Sequence, residues 1–223
     1  MAIAFFDLDR TLLAVNSGKL WIDREMRLGY LTRWQALRGA AYIGSYHFGF
    51  TRLESVLEEA IAVLGGAREA DLVARSESFY VEELATTYRP QARDVVERHR
   101  RDGHTLALLT SSTNYLCAPV QRELAIDTAL CNRLEVDEGI FTGKAHGALC
   151  FGAGKVTHAK ALAEALGEAL SDAWFYTDSM SDLPMLEAVG FPVAVNPDPR
   201  LRRAAKARGW PIQDWGKPGK SGG

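Results

Sequence analysis

The chain has few cysteines, no surplus of either charge and no long apolar run, and each shortage removes a class of protein. Its 223 residues include three cysteines, Cys117, Cys131 and Cys150, too few and too scattered to staple a disulfide framework. No Cys-x-x-Cys pair occurs, so a zinc site built on that spacing is excluded. Lys and Arg total 26 against 28 Asp and Glu, a balance that points to neither nucleic acid nor an anionic membrane surface. The apolar stretch Ala40–Phe50 is far shorter than the ~20 residues a membrane-spanning helix needs, so stable membrane insertion is not expected. The first apolar residues lack a basic leader and run straight into Asp7, which does not fit a secretory signal. The five histidines show neither His-x-x-x-His nor His-Glu-x-x-His spacing and read as core or surface residues. The expectation is a soluble, cytoplasmic protein whose 47% hydrophobic content suffices for a proper core.

What is present follows an alternating rhythm. Ala2–Phe6 is an unbroken apolar run, as in a strand buried on both faces of a parallel sheet. From about Ser17 to Leu84 the pattern is helical: Ser17–Leu28, Thr32–Tyr46, a helix entered through the capping-box spacing Thr51–Glu54 and stopped by Gly65-Gly66, and Asp71–Leu84. After Pro90 helices and strands alternate. Gln91–Arg101, Asn114–Leu124, Ala153–Leu166, a helix near Leu183–Val189 and Pro199–Arg208 are the helices. Thr105–Leu109, Thr128–Cys131, Ala173–Thr177 and Val193–Val195 are the strands, with a hairpin of Leu134–Val136 and Ile140–Thr142 around Asp137-Glu138-Gly139. In Ala153–Leu166 the inward residues are Val156, Ala159, Leu162, Ala163 and Leu166.

This alternation predicts an α/β fold with a Rossmann-like, doubly wound parallel sheet. The connection from the first strand to Pro90, about 75 residues, is far beyond an ordinary strand–helix loop. It reads as an inserted α-helical cap spanning 14–88, with the α/β core formed by 1–13 and 89–215 and a disordered tail over 216–223.

The chemistry lies at the strand ends. Ala2–Phe6 runs into Asp7-Leu8-Asp9-Arg10-Thr11, Thr105–Leu109 into Thr110-Ser111-Ser112-Thr113, and Ala173–Tyr176 into Thr177-Asp178-Ser179-Met180-Ser181-Asp182. Ligands of open α/β sheets bind beyond the carboxyl ends of the strands, so Asp7, Asp9, Thr110, Asp178 and Asp182 fall on one rim. Clustered carboxylates stay ionised only with a cation among them, and an all-oxygen set suits Mg²⁺ before Zn²⁺. Mg²⁺ commonly holds phosphate oxygens, so the expected partner is a small-molecule phosphate ester. Lys155 adds positive charge, and Thr110 with the backbone N–H groups of Ser111 and Ser112 forms a phosphate cradle.

These motifs resemble the haloacid dehalogenase superfamily of phosphatases, and within it the phosphoserine-phosphatase-like group with an α-helical cap. The resemblance rests on Phe5-Phe6-Asp7-Leu8-Asp9-Arg10-Thr11, on Leu108-Leu109-Thr110, on Lys155 and on Asp178–Asp182. It extends through Asn132-Arg133-Leu134 and Val193-Ala194-Val195-Asn196-Pro197. It implies Asp7 as nucleophile, Asp9 as acid and base, Thr110 and Lys155 on the phosphoryl oxygens, and Asp182 as a supporting residue that orients Lys155 or metal-bound water. Mg²⁺ is implied on the Asp7 and Asp178 carboxylates and the Asp9 carbonyl. Thr11, Asn16, Ser111 and Ser112 are the candidate substrate-binding residues.

Two departures bear on substrate. Phosphoserine-specific relatives carry a Glu where this chain has Asn16, and they supply a cap Arg. Leu57–Leu64 offers Glu58 and Glu59 instead, with Arg52 the nearest Arg, so phosphoserine is disfavoured. The aromatic segment Tyr42–Phe50 favours a bulkier, less polar leaving group.

Three other classes compete. A nucleotide-binding P-loop at Gly152-Ala153-Gly154-Lys155 fails because Leu149 and Val156 stand where Gly and Ser/Thr belong. A phospho-receiver signalling module would be shorter and lack Asp9. A phosphotransferase using the same intermediate stays open. The composition says nothing of oligomeric state.

Overall fold

The structure, a computed structural model, describes residues 2–31, 58 and 61–218. The expected helix Thr32–Tyr46, the capping box Thr51–Glu54, the aromatic segment Tyr42–Phe50, and Arg52, Leu57 and Glu59 lie outside them.

Seven strands form one sheet: β1 (Ile3–Phe6), β2 (Thr105–Thr113), β3 (Thr128–Asp137), β4 (Ile140–His146), β5 (Trp174–Thr177), β6 (Phe191–Val195) and β7 (Ile212–Gln213), in the order β4-β3-β2-β1-β5-β6-β7. Every pairing is parallel except β3 with β4. The strand order reverses around β1, which pairs with β2 on one side and β5 on the other. A crevice therefore opens at the carboxyl ends of β1 and β5, the usual ligand position in this architecture.

The expected burial of β1 holds, since all four of its residues are buried. Ala4, Phe6, Leu106, Leu108 and Tyr176 face one layer with Val95, Val96 and Val120, which come from α3 (Ala92–Arg101) and α4 (Asn114–Glu123). Ile3, Phe5, Ala107, Leu109 and Phe175 face the other layer with Ala159, Ala163, Met185, Leu186, Leu201 and Ala205. Those six belong to α5 (Ala153–Leu166), α6 (Leu183–Ala188) and α7 (Pro199–Arg208). Each fully buried Phe or Ile contributes roughly 1.5–3 kcal/mol, so this double-sided core anchors the strand that delivers Asp7. Among the described residues no helix is long and apolar enough to cross a membrane.

Between β1 and β2 lie α1 (Ser17–Arg27) and α2 (Glu69–Phe79), the latter continuing into a wide turn over Tyr80–Leu84 closed by Ala85 N–H on the Tyr80 carbonyl at 2.8 Å. The expected helix 71–84 is thus helical throughout, its last turn more widely wound than the rest. The segment before α2 is bonded to the hairpin: Gly66 N–H donates to the Phe141 carbonyl (2.8 Å), Phe141 N–H to Ala67 (2.9 Å) and Glu69 N–H to Gly139 (2.9 Å). Gly143 makes this contact possible: at φ +80° a Cβ there would stand 3.3 Å from the Gly65 Cα. Ile61, Leu72, Tyr115, Leu134 and Phe141 close a third cluster beneath the seam.

The hairpin turns at Glu138 (φ 46°) and Gly139 (φ 79°), the two positive angles a two-residue turn of this hand requires. Three expectations need correction. Thr128–Cys131 and Leu134–Val136 are one strand, because Asn132 and Arg133 continue the extended chain. Leu166 is 45% exposed, not inward, as the last residue of α5. Gly216, assigned to the tail, is held by Arg89 Nη1 donating to its carbonyl at 2.6 Å; residues 219–223 lie outside the description.

Candidate active site

Asp7 leaves the end of β1 with its N–H on the Tyr176 carbonyl of β5 (2.9 Å), so its backbone is fixed by the neighbouring strand. The chain then makes one wide turn, closed by Leu13 N–H on the Leu8 carbonyl at 3.0 Å. Arg10 sits in this turn at φ 57°, a left-handed conformation that costs a non-glycine residue of order 1 kcal/mol. Arg89 secures the turn, donating from Nε to the Arg10 carbonyl at 2.9 Å. The turn places Asp9 at the start of α1, where Ser17 N–H donates to Asp9 Oδ1 at 2.8 Å.

Lys155 enters from the first turn of α5. Gly154 permits this entry, since a Cβ there would lie 2.3 Å from the Leu149 carbonyl oxygen. The lysine is 2% exposed; its Nζ donates to Asp7 Oδ1 at 2.9 Å and to Asp182 Oδ2 at 2.8 Å. Thr177 Oγ1 also donates to Asp182 Oδ2, at 2.7 Å. Asp178 directly follows β5, and Asp198 holds its loop: Asp198 N–H donates to the Asp178 carbonyl, and Met180 N–H to Asp198 Oδ2, both at 2.8 Å.

The electrostatics show what the cluster lacks. Burial pushes Asp7 up to about 8, with Lys155 opposing and Asp182 and Asp178 adding to the rise. Burial likewise pushes Asp178 up to about 7, against Arg10 and with Asp182 and Asp198. Asp9 is raised by burial, with Ser17 opposing. Burial favours a neutral Lys155, but Asp182 and Asp7 prevail and hold the ammonium charged. Asp7, Asp178 and Asp182 are buried with one buried lysine among them, so the site is short of positive charge and has only oxygen donors. A hard divalent cation fits that deficit. Among the described residues no three His, Cys, Asp or Glu side chains gather around one point.

The structure thus brings Asp7, Lys155 and Asp182 into one bonded cluster, with Asp178 and Asp9 coupled to it electrostatically. Thr110 is buried at the end of the same sheet. The stretch Thr110–Ser112, expected just beyond a strand ending at Leu109, is part of β2, where its register with β3 shifts between Leu109 and Thr113. Such irregularities often re-aim side chains beside active sites. Ser112 N–H is directed to Thr110 Oγ1 at 3.3 Å rather than outward.

Two candidates stand apart. Asn16 Oδ1 accepts from Lys19 N–H at 2.8 Å, which makes it the N-cap of α1. Thr11 is fully buried with its hydroxyl unpaired, and no hydrogen bond or ion pair joins it to the cluster. Thr177, Asp198, Arg89 and Asn132 were missed as supports. Their roles arise from contacts across strands, for which single residues carry no local signal.

Residues 4–187 match the haloacid dehalogenase-like hydrolase family. A phosphoserine phosphatase of Mycobacterium tuberculosis is 33% identical over 219 residues, 96% of this chain and 71% of its own. A histidinol-phosphatase of Neisseria meningitidis is 28% identical over 215 residues, covering 94% and 97% of the two chains. A crystal structure of a Bordetella pertussis protein of unknown function superposes with a TM-score of 0.88 at 33% identity, over 96% of this chain and 98% of that one. With the rim of carboxylates around a buried lysine, these likenesses establish that the chain belongs to the haloacid dehalogenase-like hydrolases, as a phosphatase-type enzyme.

Proposed function

We propose that the protein hydrolyses a small phosphomonoester with Mg²⁺, through a phosphoryl group carried transiently on Asp7. The observation that carries this reading is the bridge of Lys155 between Asp7 and Asp182 at the crevice between β1 and β5. It fixes a carboxylate oxygen in place beside a permanent positive charge, as a nucleophile for an anionic substrate requires.

Asp7 attacks phosphorus as the bond to the ester oxygen breaks, and Asp9 gives its proton to the departing alcohol. The rise in Asp9 caused by burial favours the protonated form this step needs. Asp9 then takes a proton from water, which attacks phosphorus, breaks the bond to Asp7 and releases inorganic phosphate. Lys155 steadies Asp7 and, with Thr110, offsets charge on the phosphoryl oxygens. Mg²⁺, held by the carboxylates of Asp7 and Asp178 and the carbonyl of Asp9, would supply the remaining positive charge.

In this reading 1–13 and 89–215 form the catalytic core and 14–88 the helical cap. Support comes from the adjacent crossings, where Leu13 bridges Tyr88 and Ala14 N–H donates to the Thr87 carbonyl at 2.8 Å. Phosphoserine is a poor candidate. The amide at Asn16 is engaged by its own helix and provides no carboxylate for an amine, so a bulkier, less polar ester is expected.

The test is phosphate release from phosphoserine, histidinol phosphate, sugar phosphates, nucleotides and lipid-like phosphates, with and without Mg²⁺, beside Asp7→Asn. Metal-dependent release by the wild type alone supports the proposal. Release unaffected by chelation or by Asp7→Asn contradicts it, and acceptor-dependent products would make the enzyme a transferase.

A further inference from the structure

Asn132 lies in the middle of β3, 3% exposed, and uses both halves of its amide. Its Nδ2 donates to the Ser111 carbonyl at 2.6 Å, and its Oδ1 accepts from Cys150 N–H at 2.8 Å. Ser111 directly follows Thr110, in the stretch where β2 slips out of register with β3. Cys150 begins the short lead into α5. That lead has little slack: Gly154 N–H donates to the Phe151 carbonyl at 2.8 Å and Lys155 N–H to Gly152 at 3.2 Å. Among the described residues no other side chain hydrogen-bonds to both segments.

We propose that Asn132 is a positioning residue that sets the separation of Thr110 from Lys155. On the reading above, which this inference rests on, those two groups both hold the phosphoryl oxygens. Asn132 touches neither substrate nor the reacting atoms; it acts through the two backbone segments it joins. The task needs one donor and one acceptor on a single planar group. Asp keeps the bond to Cys150 but turns a second acceptor toward the Ser111 carbonyl, and Leu fills a similar volume with neither bond. Asn is disfavoured in strands, and a buried amide is costly unless both ends are satisfied. Here both are, by the two segments that carry the phosphate-side groups.

The experiment compares Asn132→Asp and Asn132→Leu with wild type, using the best ester from the panel above and Mg²⁺. It reads kcat, KM, inhibition by added inorganic phosphate, and the thermal midpoint. The expected result is a fall in kcat/KM of at least tenfold in both variants, with inhibition by inorganic phosphate weakened at least fivefold. A residue that only stabilises β3 would lower the midpoint and leave kcat, KM and phosphate inhibition of the folded enzyme within twofold of wild type; that outcome overturns the proposal. If Asn132→Leu does not fold, Asn132→Asp, identical in shape, decides alone. A wild type that releases no phosphate would instead sink the functional reading, so the two failures are distinguishable.

Discussion

Replacing Asp7 with Asn is expected to abolish phosphate release and, in the absence of divalent cations, to make the protein more stable. Asp7 is 6% exposed, and burial, opposed by Lys155, pushes it from 3.8 up to about 8. The folded state therefore binds a proton more tightly than the unfolded chain across that window. The penalty is absent below the unfolded value, grows as pH rises and levels off above about 8. At about 1.4 kcal/mol per pH unit, the ceiling at pH 7.5 is about 5 kcal/mol. The variant gives up part of that gain where an amide fits the Lys155 contact less well than the carboxyl it replaces, although the bond of Lys155 to Asp182 at 2.8 Å remains. A net gain of about 2 kcal/mol is expected, within the range seen when buried charges are neutralised. For a chain of this size it would raise the melting temperature by about 4–8 °C. Urea unfolding of both proteins between pH 5 and 8.5, with chelator present, reads this directly. The gap should widen toward pH 8 and then flatten. A variant less stable than wild type at pH 7.5, or a gap that ignores pH, would refute the reasoning.

Lys155→Met removes the partner of two buried carboxylates; it should end turnover and cost about 3 kcal/mol at pH 8, and wild-type stability in a denaturant titration would contradict this. His99 is buried beneath the sheet, bonded to His104 and Tyr176 at 2.8 Å each. Burial, with His104 and Arg98 adding and Asp102 opposing, depresses it from 6.5 to about 4. Its contribution is present above pH 6.5 and is lost as pH falls toward 4, by up to about 3 kcal/mol. His99→Gln should flatten that part of the profile, and an unchanged pH slope would count against it. Arg68 and Ile140 face each other across the seam between the segment before α2 and β4. Flanking bonds make them a non-hydrogen-bonded pair, with Cα atoms about 4.5 Å apart and within disulfide reach. A lock of Arg68→Cys with Ile140→Cys should leave kcat and KM unchanged between oxidised and reduced enzyme, because residues 66–69 are already hydrogen-bonded to the hairpin. Loss of turnover on oxidation, restored by reductant, would mean that this seam must move.

The parts of the fold that could be read from the chain are those governed by local pattern. The five-residue apolar run before Asp7, Pro199 opening α7, and Gly167 in the left-handed region at φ 69° after α5 are each decided within a few residues. Asp7, Asp178, Asp182 and Lys155 were legible because parallel strands of one sheet end on one side, so position along the chain predicts position in space. What escaped depends on distant partners. β7 is two residues long and exists only because Ala194 and Val195 pair with it. The apolar run ends at Leu109, yet the pairing of Thr113 with Asn132 extends β2 through Thr110–Ser112. The capping bond from Lys19 N–H to Asn16 is visible only once the chain entering α1 is folded.

The central claim is that phosphorus is transferred to Asp7. Wild type mixed briefly with its best ester and Mg²⁺, quenched in acid, digested and examined by mass spectrometry should carry phosphate on the peptide containing Asp7. The same peptide of Asp7→Asn should carry none. Phosphate released at full rate with Asp7 never modified, or modification of a different residue, would contradict the account.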